Sequence, residues 1–123
     1  MAMSRFLAVL AVCLVCVSYM GEAMEAVFSA CELVFEYFPY CLEFLVGDPY
    51  FPFPSTRCCE HVAKLNKLAH SNTGPRTICW CIEVMVRGMT PALVPSKIQE
   101  LPVMCNTTLS FPISDSMDCS KVG

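Results

Sequence analysis

The chain has 123 residues, of which 55% are hydrophobic, 15% are charged and ten are cysteine. This length suits one small domain, and its cysteine content is typical of a disulfide scaffold rather than of a cytosolic enzyme. A net charge of −3 excludes the basic surface that nucleic acid requires, and the apolar, lightly charged composition excludes a disordered chain.

The N-terminus has the pattern of a secretory signal peptide. A short positive segment, Met1–Arg5, precedes the uncharged apolar run Phe6–Tyr19. Gly21 and Ala23 then supply small residues at the −3 and −1 positions of a cleavage site. The apolar run is short for a membrane span, so we expect no transmembrane anchor.

We therefore predict a signal peptide over residues 1–23, with cleavage as late as Ala26 as an alternative, and a secreted, extracellular domain over residues 24–123. Removal of the signal peptide takes away Cys13 and Cys16 and leaves 10 − 2 = 8 cysteines. An even number of cysteines in a small secreted domain predicts four disulfides.

Helical patterns dominate the first half of the mature chain. Ser29 and Glu32 form a capping box that predicts a helix start, and the helix is expected to reach Val46 with a kink at Pro39. Gly47 is the expected stop. A proline-punctuated aromatic loop of sequence DPYFPFP follows over residues 48–54.

Three further helices are predicted after this loop. Ser55 caps a second helix that runs to about His70, and Pro75 lies in the first turn of a third helix that Gly88 ends. A short fourth helix covers residues 96–100 and stops before Pro102, and residues 105–123 are predicted to form an extended, disulfide-tied tail.

The order of the cysteines carries the most specific information. Cys58 and Cys59 are adjacent, and adjacent helical side chains diverge by ~100°, so the two residues need different partners. Cys79 and Cys81 diverge by ~200° and point to nearly opposite sides of their helix. A zinc site would need paired C-x-x-C clusters, which this sequence lacks, so we expect neither a metal nor another cofactor.

Catalytic motifs are also missing from the sequence. It contains no G-x-S-x-G element, no glycine-rich phosphate loop and no paired catalytic carboxylates. His61 and His70 are predicted to lie on a helix surface without a nucleophile motif in reach. We therefore expect that the protein is not an enzyme.

The order C…C…CC…CxC…C…C resembles the eight-cysteine framework of plant non-specific lipid transfer proteins. The segment from Pro54 to Ala69, with its Cys58–Cys59 pair, is similar to the second helix of that family. The ending Ile113-Ser114-x-x-x-Asp118-Cys119-Ser120-Lys121-Val122 resembles the type 1 proteins of the family, and so do most of the cysteine spacings.

This resemblance implies an all-α fold, a four-helix, disulfide-stapled bundle around an internal apolar tunnel that the extended C-terminal tail closes. It implies a secreted lipid-binding protein of the apoplast or cell wall, monomeric, which carries fatty acids, phospholipids or other apolar lipids. By the same resemblance, the candidate lipid-binding residues are Val34, Leu65, Phe111, Ile113 and, as a substitute anchor for the lipid head group, Arg76.

The disulfide pairing implied by the family has one open choice. Cys41–Cys58 and Cys59–Cys105 hold for both subtypes. Type 1-like spacing implies Cys31–Cys81 and Cys79–Cys119, whereas the apolar Trp80 between two cysteines resembles type 2 and implies Cys31–Cys79 and Cys81–Cys119. We favour the pairing that follows the spacing.

Two family motifs have lost their polar residues in this chain. Gly74 and Pro75 stand where the type 1 proteins have Asp-Arg, and Phe111 stands where they have a tyrosine. These departures predict a less polar tunnel mouth, with weak recognition of a lipid carboxylate.

Two further expectations concern the surface of the protein. Asn106-Thr107-Thr108 is a glycosylation sequon, although it adjoins Cys105. The alternative to a lipid carrier is an α-amylase or protease inhibitor on a related cysteine framework, which would act through the exposed aromatic loop of residues 48–54.

Overall fold

A computed structural model of the chain describes the backbone of residues 2–123 and the side chains of residues 3–20 and 29–123. The chain divides into two units, residues 1–30 and residues 31–123. The predicted cleavage residues Gly21, Ala23 and Ala26 lie outside the described side chains.

The described residues contain five α-helices and no strand. They are α1 (Ala2–Tyr37), α2 (Leu42–Leu45), α3 (Thr56–Ala69), α4 (Gly74–Val86) and α5 (Pro95–Met104), with 3₁₀ turns over Phe38–Cys41 and Cys119–Lys121. The all-α, disulfide-stapled fold expected from the sequence is confirmed.

In the first unit, the described side chains are exposed along the N-terminal part of α1. The stretch Met3–Met20, with a mean hydropathy of 2.0, is long and apolar enough to cross a membrane, and a signal sequence near an N-terminus has the same properties. The capping box predicted at Ser29 is not a helix start in the unprocessed chain, because α1 continues through it and its backbone N–H groups are used within the helix.

The second unit contains the predicted kink. Pro39 lies in the 3₁₀ turn that separates α1 from α2, where its missing N–H interrupts the α-helical hydrogen bonds. Helix α2 ends in a Schellman motif: the Gly47 N–H donates to the Phe44 carbonyl, and the Asp48 N–H to the Glu43 carbonyl. Gly47 has φ = 76°, the left-handed conformation that this motif requires.

Helix α3 begins at the predicted cap. The Cys58 N–H donates to the Ser55 hydroxyl at 3.0 Å, which satisfies one free donor of the first turn. Its buried residues follow helical spacing and face the core: Cys58, Val62, Leu65 and Ala69. Helix α4 begins with Gly74 and Pro75 and ends two residues before Gly88, close to the predicted bounds.

Helix α5 is longer than predicted, because it passes through Pro102 instead of stopping before it. A proline inside a helix removes one N–H donor, but the turn after it is held by the Cys105 N–H on the Leu101 carbonyl. The helix then ends in a second Schellman motif, in which Asn106 adopts φ = 53° and Thr107 donates to the Pro102 carbonyl.

Four disulfides connect these elements. Cys58 and Cys59, adjacent on α3, reach opposite partners: the 3₁₀ turn before α2 and the end of α5. Helix α4 is bound to α1 and to the tail. The pairs are Cys31–Cys81, Cys41–Cys58, Cys59–Cys105 and Cys79–Cys119.

This arrangement corresponds to the type 1-like alternative, and it leaves Trp80 on the exposed side of α4. Cys81 points toward the buried interior and Cys79 toward the tail, as their divergence on a helix requires.

The pairing of Cys31 predicts the outcome of peptide mapping. Proteolysis of the non-reduced protein should release a peptide that joins Cys31 to Cys81, because the facing helices bring those two residues to a Cα–Cα distance of 5.3 Å. The Cys41–Cys58 peptide, common to both alternatives, serves as the internal control. A peptide that joins Cys31 to Cys79 would contradict this prediction.

Candidate functional site

Four of the five candidate lipid-binding residues lie together in the buried core. Val34 comes from α1, Leu65 from α3, and Phe111 and Ile113 from the C-terminal tail. Val34 and Leu65 expose none of their surface, and the two tail residues are nearly as enclosed. Segments far apart in the chain thus build one apolar cluster.

Most of the other members of this cluster were not singled out from the sequence. Helix α4 contributes three side chains at four-residue spacing, Ile78, Ile82 and Val86. The remaining large side chains come from the turn before α2, from α2, α3 and α5, and from the segment before α5: Phe38, Phe44, Leu45, Val62, Leu101 and Leu93. The spacing in α4 could have identified its three residues, because positions i, i+4 and i+8 share one face.

A layer of partly buried apolar side chains packs against the buried cluster. It includes two methionines near the end of α4, Met85 and Met89, and Leu109 at the start of the tail. Methionine has three rotatable bonds and a polarizable sulfur, so it adapts to differently shaped neighbours. This layer is the part of the core that can change shape with the least disruption.

Asn66 on α3 holds the tail over the cluster. Its side-chain amide donates to the Thr108 carbonyl at 2.9 Å, and its side-chain oxygen accepts from the Ser110 N–H, also at 2.9 Å. His70, one turn further along α3, lies 3.0 Å from the Ser110 hydroxyl. Because Phe111 follows Ser110 directly, these bonds set the position at which the aromatic ring enters the core.

Arg76 lies outside the apolar cluster. It is exposed near the start of α4, and its Nε donates to the Val122 carbonyl at 2.8 Å, so its guanidinium binds the end of the tail. Asp118 organises the same end, since it accepts from the Ser120 hydroxyl and the Ser120 N–H. These two bonds lower the pKa of the Asp118 carboxyl below its ordinary value.

Both histidines have structural partners. His61 stacks on the Tyr40 ring at a centroid distance of 4.2 Å, and its Nδ1 lies 2.6 Å from the Arg57 carbonyl oxygen. His70 is bound to the tail through Ser110. The contacts of His61 are thus a backbone carbonyl and an aromatic ring, and the contact of His70 is a serine hydroxyl of the tail.

Glu83 is the one charged residue among the buried positions that the structure describes. One carboxylate oxygen lies 3.4 Å from Nη2 of Arg87, and the other has no hydrogen-bond partner. Ligand atoms of Cys79, Glu83 and Cys119 lie within 4.8 Å of one another. Since the two sulfurs are bonded to each other, they are not the thiolates that zinc requires.

The predicted glycosylation residue, Asn106, is exposed at the C-terminal end of α5. It occupies the left-handed position of the Schellman motif described above, a conformation that asparagine tolerates better than most residues. Its place in the fold is thus accounted for by the helix end alone.

Comparisons with known proteins all find similarity to lipid-transfer proteins or to the family that contains them. The model of the protease inhibitor/seed storage/LTP family matches residues 15–119. Non-specific lipid-transfer protein 13 from Arabidopsis thaliana is 53% identical, over 75% of this chain and 72% of its own length. Non-specific lipid-transfer protein 3 from rice, Oryza sativa, is 32% identical over 90% of this chain and 88% of its own.

Among solved structures, barley non-specific lipid transfer protein 1 in complex with lysophosphatidylcholine has a TM-score of 0.62. It is 30% identical, and the match covers 76% of this chain and 98% of the barley chain. With its eight paired cysteines and its helical bundle, the chain belongs to the protease inhibitor/seed storage/LTP family, among the plant non-specific lipid-transfer proteins.

Proposed function

We propose that this protein is a secreted, monomeric carrier that binds a fatty acyl chain or a similar apolar ligand without covalent chemistry. The observation that supports this most directly is the convergence of Val34, Leu65, Phe111 and Ile113 in one buried apolar cluster that the tail helps to build. Relatives named lipid-transfer proteins, and a barley neighbour bound to lysophosphatidylcholine, support the same ligand class.

The ligand would occupy a tunnel that opens among these side chains. Val34 and Leu65 are fully enclosed, so a lipid chain has to displace neighbours in order to reach them. The partly buried methionines Met85 and Met89, together with Leu109, are the neighbours best able to move. The disulfides hold the helix backbones in place while these side chains rearrange.

The binding energy would come from apolar contact. Each buried methylene contributes ~0.8 kcal/mol, so a chain of about a dozen carbons contributes several kcal/mol even after the cost of rearranging the core. Several kcal/mol corresponds to an affinity in the millimolar to micromolar range without any ionic contact with the head group.

The bonds made by Asn66 predict that it stabilises the closed tail. Asn66→Ala removes both bonds to the tail, so we expect the free energy of unfolding to fall by about 1–3 kcal/mol and the Ser110 amide to exchange its hydrogen faster. Guanidinium unfolding with the disulfides intact, and hydrogen exchange, are the measurements.

Asn72→Ala is the matched control for that experiment, because it makes the same chemical change at an exposed position beyond the end of α3. Equal effects of the two substitutions on Ser110 exchange would contradict the role assigned to Asn66.

The apolar cluster, which includes Phe111 where its relatives' motif has tyrosine, predicts weak dependence on the head group. A fatty acid and its methyl ester should bind within about tenfold of each other, since the charge-assisted hydrogen bond of roughly 1.5–3 kcal/mol that would favour the acid is missing. Chain length should matter more, because each further buried methylene adds apolar contact. Displacement of a fluorescent fatty acid measures both effects.

Arg76→Ala tests the one cation proposed to restore head-group recognition, and Lys67→Ala, at an exposed position in the last turn of α3, is the control. Because Arg76 already donates to the Val122 carbonyl, we expect the ratio of acid to ester affinity to change little. A hundredfold preference for the acid in the wild type that only Arg76→Ala abolishes would make Arg76 the anchor and contradict this expectation.

Cleavage of the predicted signal peptide determines the mass and the thiol content expected of the secreted protein. The mature chain should start between Met24 and Val27, and native protein should contain no titratable thiol, because the free cysteines Cys13 and Cys16 leave with the signal peptide. Intact mass and thiol titration measure this. Two or more titratable thiols in native secreted protein would show that the leader is retained.

Glycosylation of Asn106 remains a separate proposal. The exposed side chain is accessible to a glycosyltransferase, and the same intact-mass measurement reports an attached glycan.

A further inference from the structure

The loop between α2 and α3, residues 48–54, presents three aromatic side chains to solvent. Tyr50 is 88% exposed, Phe53 68% and Phe51 40%. Exposed aromatic residues so close together are unusual in a soluble domain and mark a surface for binding. We call Tyr50, Phe51 and Phe53 the aromatic loop cluster.

The loop is held in one conformation from both ends. Its first residue, Asp48, belongs to the Schellman motif of α2, and its last residue, Pro54, precedes Ser55, the cap of α3. Between them, the Phe51 N–H donates to the Asp48 carbonyl at 2.9 Å, which closes a β-turn with Pro49 at its second position. Presentation of the rings therefore costs little conformational entropy on binding.

The backbone of this loop offers very few hydrogen-bond donors. Three of its seven residues are prolines, which have no N–H, and the Asp48 and Phe51 N–H groups are bonded to carbonyls of the protein. The Tyr50 N–H donates to the Asp48 carboxylate at 3.0 Å. Among the described residues, only the Phe53 N–H of this loop lacks such a bond.

This donor count distinguishes between two kinds of partner. A protein partner that pairs with an extended loop, as an enzyme does with an inhibitor, takes much of its affinity from backbone hydrogen bonds. A lipid surface instead requires that backbone polar groups be absent or satisfied internally, and it accommodates aromatic rings at the level of the head groups. The N–H groups of the loop, absent or bonded at six of its seven residues, meet the second requirement, and its carbonyls would lie at the level of the hydrated head groups.

The charged residues near the loop favour a zwitterionic over an anionic lipid surface. Residues 48–54 contain no lysine or arginine, and at the root of the loop the acidic residues Glu43 and Asp48 outnumber the one cation of the first turn of α3, Arg57. An anionic membrane surface would repel these carboxylates, whereas a zwitterionic surface would not. We propose that the aromatic loop cluster docks this protein onto zwitterionic phospholipid membranes.

The test is binding of the secreted protein to phosphatidylcholine vesicles, measured by flotation. Wild type should float with the vesicles, and the double variant Tyr50→Ser, Phe53→Ser should bind at least about tenfold more weakly, because two apolar contacts with the membrane are lost. Trp80→Ser is the matched control, since it removes an aromatic side chain that is 56% exposed on a different element, α4.

Two further measurements test whether the contact with the vesicle is apolar or ionic. Binding should be nearly independent of salt from 50 to 500 mM, a range of roughly threefold in Debye length. Replacement of about a third of the phosphatidylcholine by phosphatidylglycerol should not strengthen it. Binding that requires the anionic lipid, or that salt abolishes, would contradict the proposed apolar docking.

Equal vesicle binding by wild type and the double variant, or an equal loss in Trp80→Ser, would overturn the proposal. Absence of wild-type binding would also overturn it and would leave the loop as a surface for a protein partner. Displacement of a fluorescent fatty acid in vesicle-free solution reports the carrier function separately, because none of the loop rings belongs to the buried apolar cluster.

Discussion

The two adjacent cysteines of α3 are the constraint on which the rest of the domain depends. Side chains at consecutive helical positions diverge by ~100°, so Cys58 and Cys59 bind elements on different sides of α3. One bridge holds the turn before α2, and the other holds the end of α5. Together with the two bridges of α4, they restrain every α-helix of the second unit.

The four disulfides reduce the stability that packing of the apolar core has to supply. A domain of about 100 residues ordinarily derives its stability from close packing of apolar side chains, and cavities in it are costly. Four disulfides restrict the unfolded chain and so stabilise the fold without help from packing. The apolar cluster around Val34 and Leu65 can then serve a ligand, since rearrangement of its side chains does not release the backbones.

In the functions proposed above, the tail and the aromatic loop cluster have different parts. The tail lies over the apolar cluster and is held by neutral hydrogen bonds to Asn66, which are individually weak enough to break and re-form. The loop, in contrast, is fixed by two helix ends and faces solvent. A rigid loop suits contact with a membrane, and a weakly held tail suits entry of a lipid chain.

Local patterns in the sequence were sufficient for much of the fold. The Ser55 cap, the kink at Pro39 and the stop at Gly47 all act through neighbours within about four residues, and the structure has each of these helix boundaries where it was predicted. The passage of α5 through Pro102 was predicted wrongly, because hydrogen bonds of the continuing helix outweighed a local stop. The Ser29 cap was predicted for the mature chain, and in the unprocessed chain it lies inside α1.

Tertiary structure alone decided the features that join distant residues. Asn66 and Ser110 are 44 residues apart, and no local pattern shows that one holds the other. The choice between Cys79 and Cys81 as the partner of Cys31 likewise depends on how α4 is rotated against α1, and the burial of Glu83 on the same helix depends on that rotation too. Composition and spacing specify which helices form; the rotation of each helix is decided by packing against neighbours that the local sequence does not contain.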